Sequence, residues 1–184
     1  MKTLDIPIKP QGEVSKALLE HASTVWEAFL YVNMFPYGRS SGTDYRLLLK
    51  EKRGTCSIKH ALLAVLGEEE ELDILLTVLP YEVNRKNLPR VTPVLDHYKV
   101  DAILEAHCYL QYEGKRIDIT FPRHVVYPAR SDKEQIIRPD QIGEYKVKLH
   151  RKWLEEWGKE KNLPYNLEEL WNIREQCVNA LAKS

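Results

Sequence analysis

The chain has 184 residues, which suffices for one compact domain with its own core and would leave a second domain cramped. Its 27 lysines and arginines balance 27 aspartates and glutamates, so the formal net charge is zero. A protein without a dominant charge has no field that attracts nucleic acid or an anionic membrane, and we expect neither partner. We therefore expect a single domain spanning residues 1–184.

The N-terminal residues, MKTLDIPIKPQGE, contain no apolar run suited to a secretory signal. No later segment approaches the roughly 18 apolar residues of a membrane-spanning helix. The three cysteines are too few, and odd in number, for a disulfide framework, which is typical of a reducing compartment. We therefore expect a cytoplasmic protein in which Cys56 is a free thiol.

The N-terminal region is predicted to be helical. Apolar residues recur at steps of three and four over residues 13–32 and predict one amphipathic helix, which Pro36 closes. The turn-rich loop MFPYGRSSGTD leads into a short helix over residues 44–50, with Thr43 as the predicted N-cap. The short helix leads directly to Cys56.

A further amphipathic helix is predicted after Gly54, with Thr55 as N-cap and Gly67 as C-terminal stop. Cys56 falls in its first turn, where unpaired N–H groups and the helix dipole favour a thiolate. The same N–H groups could donate to an oxyanion that forms on a substrate carbonyl. The alternative is that Cys56 is simply a small buried hydrophobic residue at a helix start.

Three strands are predicted in the middle of the chain. The continuous apolar run LDILLTVLPYEV, residues 72–83, is typical of a strand buried on both faces. Two further strands, EAHCYLQY at 105–112 and KRIDITF at 115–121, are joined by Glu113 and Gly114 in a tight hairpin. The last two strands are therefore predicted to be antiparallel.

After a loop that starts at Pro122, two helices are predicted over residues 141–161 and 166–182, forming a helical extension at about 140–182. Aromatic residues at helical spacing are more typical of a packing surface than of a cofactor site. The tryptophans of this extension are Trp153, Trp157 and Trp171. We assign the extension a structural role.

The predicted hairpin supplies a base for the cysteine. With a two-residue turn, Tyr112 pairs with Lys115. The same register places His107 opposite Thr120 and leaves Asp118 as its diagonal neighbour on the same face, about 5.5 to 8 Å away. A slip of one residue would move His107 and Asp118 to opposite faces.

A carboxylate beside an imidazole fixes its tautomer and favours the imidazolium, which a cysteine nucleophile needs as its partner. We therefore predict Cys56 as nucleophile, His107 as general acid and base, and Asp118 as the group that orients the imidazole. The alternatives are a strand histidine that makes an ordinary hydrogen bond and a solvated strand carboxylate.

Three motifs, RGTCSIKHALLAVL, EAHCYLQYEG and KRIDIT, follow one another in the chain. Their order and spacing resemble those of the transglutaminase-like superfamily, a branch of the papain-like cysteine enzymes, over roughly residues 26–121. The resemblance implies an α+β fold with a papain-like/transglutaminase-like core, in which the Cys-bearing helix packs on an antiparallel β-sheet and the C-terminal helices are additions. It also implies thiol acyl-transfer chemistry on amides or esters.

The resemblance also implies where a substrate would bind. Related enzymes take part of the cleft and a second oxyanion donor from the loop before the cysteine, here NMFPYGRSSGTDYR. An aromatic residue, commonly Trp, often stands two places after the histidine, where this chain has Tyr109. A Trp often precedes the aspartate, where this chain has Lys115, Arg116 and Ile117. The substrate-binding or oxyanion candidates are Asn33, Tyr37, Arg39 and Tyr109, although such loops are usually only connections.

Cofactor and metal sites are weakly supported. Cys56 and His60 have the spacing of two metal ligands on a helix, but no companion pair follows. Cys108 should point to the opposite strand face from His107. No glycine-rich phosphate loop is found. We expect no metal and no cofactor, and we expect His60 on the helix surface or just behind the reacting groups.

The residues together predict a cysteine amidase or peptidase-type hydrolase with a Cys-His-Asp triad, acting on a peptide, a protein or a small amide. Hydrolysis is favoured over transfer to an amine because no calcium-ligand cluster is found. The alternative is a non-catalytic binding module that holds a peptide or partner protein in the same cleft, since a fold does not choose a function.

Overall fold

The computed structural model describes residues 4–121 and 131–183, and in them the chain forms an α+β fold. Of the loop predicted between Pro122 and residue 141, residues 122–130 lie outside the described residues, and Gln135–Ile136 forms a strand that was not predicted. None of the helices in the described ranges has the length and apolar character needed to cross a membrane.

Seven α-helices are present in the described ranges: α1 (Glu13–Leu19), α2 (Val25–Asn33), α3 (Leu47–Glu51), α4 (Cys56–Glu69), α5 (Thr92–His97), α6 (Glu144–Glu160) and α7 (Leu167–Ala182). Four strands accompany them: β1 (Leu75–Asn84), β2 (Ala102–Tyr112), β3 (Lys115–Ile117) and β4 (Gln135–Ile136). They form one antiparallel sheet in the order β3-β2-β1-β4.

Helix α4 is the centre of the core. It packs on β2 and β1 on one side and against α1 and α2 on the other. Eleven of its fourteen residues are buried, including the polar side chains of Lys59 and His60. A buried charged group must be paired or hydrogen-bonded. The burial of Lys59 and His60 therefore indicates a polar cluster inside the core.

The predicted single helix over residues 13–32 is wrong, because a new helix starts at Thr24. The Thr24 hydroxyl accepts a hydrogen bond from Glu27 N, and the Glu27 carboxylate accepts from the backbone N–H groups of Ser23 and Thr24. This reciprocal pair is a capping box. The break lets α1 and α2 pack at different places on α4.

Other predicted boundaries also shift. The short helix begins at Leu47, with Arg46 rather than Thr43 as its N-cap. Helix α4 runs past Gly67 to Glu69. A Cβ on Gly67 would lie 2.7 Å from Ile74 Cβ, so Gly67 allows close packing and does not stop the helix.

The hairpin turn has the predicted residues and register. Glu113 and Gly114 have φ angles of 48° and 70°, and Tyr112 pairs with Lys115. The ladder ends at Ile117, however, so the predicted backbone pairing of later residues such as Asp118 is wrong. Side chains from other elements, in place of ladder hydrogen bonds with β2, hold the chain that follows β3.

The C-terminal helices α6 and α7 pack on each other and on β2. Trp153 and Trp157 are buried, and Trp157 Nε1 donates a hydrogen bond to Glu82 Oε1 at 2.7 Å. Trp171 is half-buried. The predicted packing role of these aromatic residues is therefore confirmed at Trp153 and Trp157.

We expect Glu113→Asn to raise the free energy of unfolding by about 1 kcal/mol, because a left-handed backbone costs most residues about 1–2 kcal/mol and costs asparagine less. Gly114→Ala should lower it by a similar amount. A Cβ on Gly114 would meet nothing within 4 Å, so only the backbone conformation opposes it. Urea unfolding measures both changes, and an unaltered Gly114→Ala variant would contradict the turn.

Candidate active site

Cys56 is the first residue of α4 and is only 8 % exposed. The preceding Thr55 has the extended backbone of an N-cap, but its hydroxyl caps no N–H group. Two backbone hydrogen bonds fix the approach to the helix, from Gly54 N to Pro36 O at 3.2 Å and from Gly38 N to Gly54 O at 3.3 Å. The N–H groups of the first turn, which have no intrahelical acceptor, therefore lie beside the sulfur.

His107 lies between Cys56 and Asp118. Its Nε2 is 2.6 Å from Asp118 Oδ2, and its ring lies close enough to the buried Cys56 side chain for each group to shift the pKa of the other. Because the carboxylate engages Nε2, Nδ1 is the ring nitrogen left to face the sulfur. The other carboxylate oxygen, Asp118 Oδ1, accepts a hydrogen bond from Thr120 N at 2.8 Å. The structure thus brings the three predicted triad residues together.

The three groups stabilise one another's charged forms. A hydrogen bond from Cys108 lowers the pKa of Cys56, burial opposes this effect, and His107 lowers the pKa further, to well below the usual value. Burial alone would lower the pKa of His107, but Asp118 and Cys56 raise it to about 10. Burial would raise the pKa of Asp118, but His107 keeps it below its ordinary value. A thiolate–imidazolium pair is therefore favoured at neutral pH.

Cys108 is a participant that the strand pattern did not indicate. It follows His107 on β2 and is fully buried, and its thiol lies close to Cys56. Burial and the neighbouring Cys56 raise the pKa of Cys108 well above its usual value. Cys108 therefore stays protonated beside the Cys56 thiolate.

His60 lies behind the reacting groups and is fully buried. Its Nε2 accepts a hydrogen bond from Ile119 N at 3.0 Å, so the proton of the neutral ring is on Nδ1, which donates to Cys56 O at 2.8 Å. Burial lowers the pKa of His60, which favours this neutral form. His60 therefore links the first residue of α4 to the segment that carries Asp118.

Lys59, which directly precedes His60 on α4, also holds the segment that carries Asp118. Its ammonium donates hydrogen bonds to Phe35 O at 2.7 Å and to Thr120 O at 3.0 Å, deep in the core. Burial lowers the pKa of Lys59 to about 8. The available sequence signal for this cluster was its spacing along α4. Lys59 follows Cys56 by three residues, and His60 is the next residue.

The predicted substrate candidates lie in different places. The Asn33 side-chain amide donates to Ile119 O at 2.9 Å and to Phe121 O at 3.1 Å, so it helps to hold the segment after Asp118. Tyr109 is 1 % exposed, and its hydroxyl accepts a hydrogen bond from Gln111 Nε2 at 3.0 Å. Both side chains are engaged within the protein.

Tyr37 and Arg39 lie next to Cys56. The Tyr37 ring stacks on Phe121 with centroids 5.1 Å apart, and burial raises the pKa of its hydroxyl. Arg39 is exposed and pairs with Glu175 on α7. Of the four candidates, these two line a cavity that reaches Cys56.

Two cavities reach Cys56. The larger has a volume of about 130 Å³ and is lined by the loop before α4 and by residues of α6 and α7. The smaller, about 30 Å³, is lined by His107, Tyr81 and Thr120. Cys56 and Tyr37 line both cavities and so lie at their boundary. A substrate carbonyl at Cys56 could therefore have one substituent in each cavity.

Potential metal ligands are not grouped in threes anywhere in residues 4–121 and 131–183. Comparison of the chain with models of known protein families, with curated proteins and with solved structures finds no match. The chemistry of the site is therefore argued from its own side chains.

We expect Lys59→Met to lower the free energy of unfolding at pH 7 by about 1–3 kcal/mol, because it leaves the buried carbonyls of Phe35 and Thr120 without a donor. The matched control, Lys50→Met, is exposed on α3 and should change stability by less than about 0.5 kcal/mol. Chemical denaturation measures both. Equal effects would show that the Lys59 ammonium does not hold the segment.

Proposed function

We propose that this protein is a thiol-dependent acyl-transfer enzyme, a cysteine amidase or peptidase-type hydrolase with a papain-like/transglutaminase-like core. The observation that carries the proposal is the contact of His107 with Asp118 at 2.6 Å, next to a Cys56 side chain that lines the same cavity and is electrostatically coupled to His107. An isolated structural thiol needs no such partners. This arrangement supplies a nucleophile, a proton donor and an orienting carboxylate in a single chain of contacts.

Acylation follows from these positions. The Cys56 thiolate attacks the carbonyl carbon of an amide or ester, forming a C–S bond and a tetrahedral oxyanion. The backbone N–H groups at the start of α4 donate to that oxyanion. His107 then gives its Nδ1 proton to the leaving nitrogen or oxygen as the bond to the carbonyl carbon breaks. The products are a thioester on Cys56 and a free amine or alcohol.

Deacylation reverses the role of His107. The neutral imidazole takes a proton from water, whose oxygen attacks the thioester carbonyl. The C–S bond breaks, the carboxylic acid leaves, and the thiolate–imidazolium pair is restored. Asp118 remains ionised throughout, and its fixed contact with Nε2 keeps Nδ1 directed at the sulfur.

The proposed setting is the cytoplasm, with a peptide, a protein or a small amide as substrate. Cys56, Cys108 and Cys177 are all free thiols. Cys56 and Cys108 lie close together, so the chemistry needs a reducing compartment that keeps both thiols unoxidised.

The labelling rate of Cys56 by iodoacetamide should be high at pH 6 and nearly constant up to pH 8, because the lowered pKa of Cys56 leaves it a thiolate throughout this range and His107, with a pKa of about 10, stays protonated beside it. His107→Ala should lower the rate at pH 6 by about 30- to 100-fold, as an ordinary thiol is mostly protonated there. His97→Ala, at an exposed histidine, is the matched control. Mass spectrometry locates the label.

Two results would contradict the proposal. One is labelling of wild-type Cys56 with the pH dependence of an ordinary thiol. The other is modification that falls mainly on Cys108 or Cys177. Either result would favour the non-catalytic binding module, in which the cleft holds a peptide or partner protein without attacking it.

A further inference from the structure

The larger cavity beside Cys56 contains a buried cation. Lys146, in the first turn of α6, lines this cavity and is only 7 % exposed. The described ranges give its ammonium no hydrogen bond and no ion pair. Residues 122–130 include no aspartate or glutamate that could supply a side-chain carboxylate. The described residues therefore leave this ammonium without a counter-charge, at a place where an anionic ligand that enters the cavity can pair with it.

The other charged side chains of the cavity are already paired. Arg174 lies against Glu105, with Nε 2.8 Å from Oε1, and its NH1 is 2.6 Å from Glu175 Oε1. Arg39 also pairs with Glu175. Lys146 is therefore the cation of this cavity for which the described residues provide no carboxylate.

Uncharged polar groups complete the lining. Ser40 Oγ is buried and has no hydrogen-bond partner among the described residues. His150 Nε2 donates to Leu104 O at 3.0 Å, and burial lowers the pKa of His150 well below its usual value, so the ring is neutral. A hydroxyl donor and one ammonium thus remain available to a ligand in the same cavity.

We propose that this cavity binds a carboxylate on the acyl part of the substrate, with Lys146 as its counter-ion and Ser40 as a hydrogen-bond donor. The inference rests on the proposed function. His107, which protonates the leaving group, lines the smaller cavity, so the leaving group lies there. The acyl chain then enters the larger cavity, which holds Lys146.

The size and charge of the cavity limit the ligand. About 130 Å³ corresponds to the liquid volume of roughly four water molecules, which suits a short chain. Glu105 and Glu175 also line the cavity and would repel a phosphate dianion more than a singly charged carboxylate. The substrate class is therefore an amide or ester of a short dicarboxylic acid, such as a succinyl or glutaryl unit.

Two alkylating reagents test the inference at Cys56 itself. Iodoacetate carries a carboxylate and iodoacetamide does not, while both need the same thiolate. The ratio of their rate constants at Cys56 therefore cancels any change in the pKa of the thiol. Lys146→Met should lower this ratio by about tenfold, because it removes a charged partner of the carboxylate. Lys148→Met, exposed on the same helix and paired with Glu144, should leave it unchanged.

The outcomes separate the inference from the proposed function. A ratio unchanged in Lys146→Met, with Cys56 still reactive at pH 6, would overturn the carboxylate site and leave the hydrolase proposal intact. A wild-type Cys56 that reacts as an ordinary thiol would overturn both. Lys146→Arg, which keeps the charge, should retain most of the ratio if the loss in Lys146→Met is electrostatic and not a folding defect.

A substrate comparison gives a second readout. Wild-type protein should release ammonia from glutaric acid monoamide with a kcat/KM about tenfold or more above that for pentanamide, which lacks the carboxylate. Lys146→Met should reduce this preference, while Lys148→Met keeps it. Cleavage of both amides without preference would overturn the inference and still support hydrolysis.

Discussion

The Asp118 carboxylate is the group on which the rest of the site depends. Its side chain is only 1 % exposed, and removing a carboxylate from water costs several kcal/mol unless partners replace the solvent. His107 supplies a charge at 2.6 Å, and Thr120 N supplies a hydrogen bond. The buried carboxylate therefore demands an imidazolium, and the imidazolium in turn favours a thiolate at Cys56.

Helix α4 both presents the nucleophile and fixes the carboxylate. Cys56 begins the helix, Lys59 donates to the carbonyl of Thr120, and His60 accepts from the N–H of Ile119. The ladder between β2 and β3 ends at Ile117, and in the described part of the chain these side chains hold the segment that follows. Rigid support of this kind keeps the reacting atoms aligned without a regular element beneath Asp118.

The sequence was sufficient to predict that Cys56, His107 and Asp118 lie together, because the left-handed turn at Glu113 sets the register of the hairpin. It did not indicate the role of Lys59, and it left His60 either on the helix surface or just behind the reacting groups. A helix that is buried on nearly all sides has no polar face. The hydrophobic periodicity of α4 therefore does not indicate that these side chains point inward. The cavity around Lys146 depends on how α6 packs against β2 and α7, and local patterns do not encode these tertiary contacts.

The central claim is that Cys56 is a nucleophile that is acylated by the substrate. The most direct measurement is intact-protein mass spectrometry after mixing with 4-nitrophenyl acetate. The account predicts one acetyl group on Cys56, formed in a burst of 4-nitrophenolate and lost on further incubation as water resolves the thioester. Asp118→Asn should weaken the burst. Absence of the acetyl group, or its appearance on Cys108 or Cys177 instead, would contradict the account.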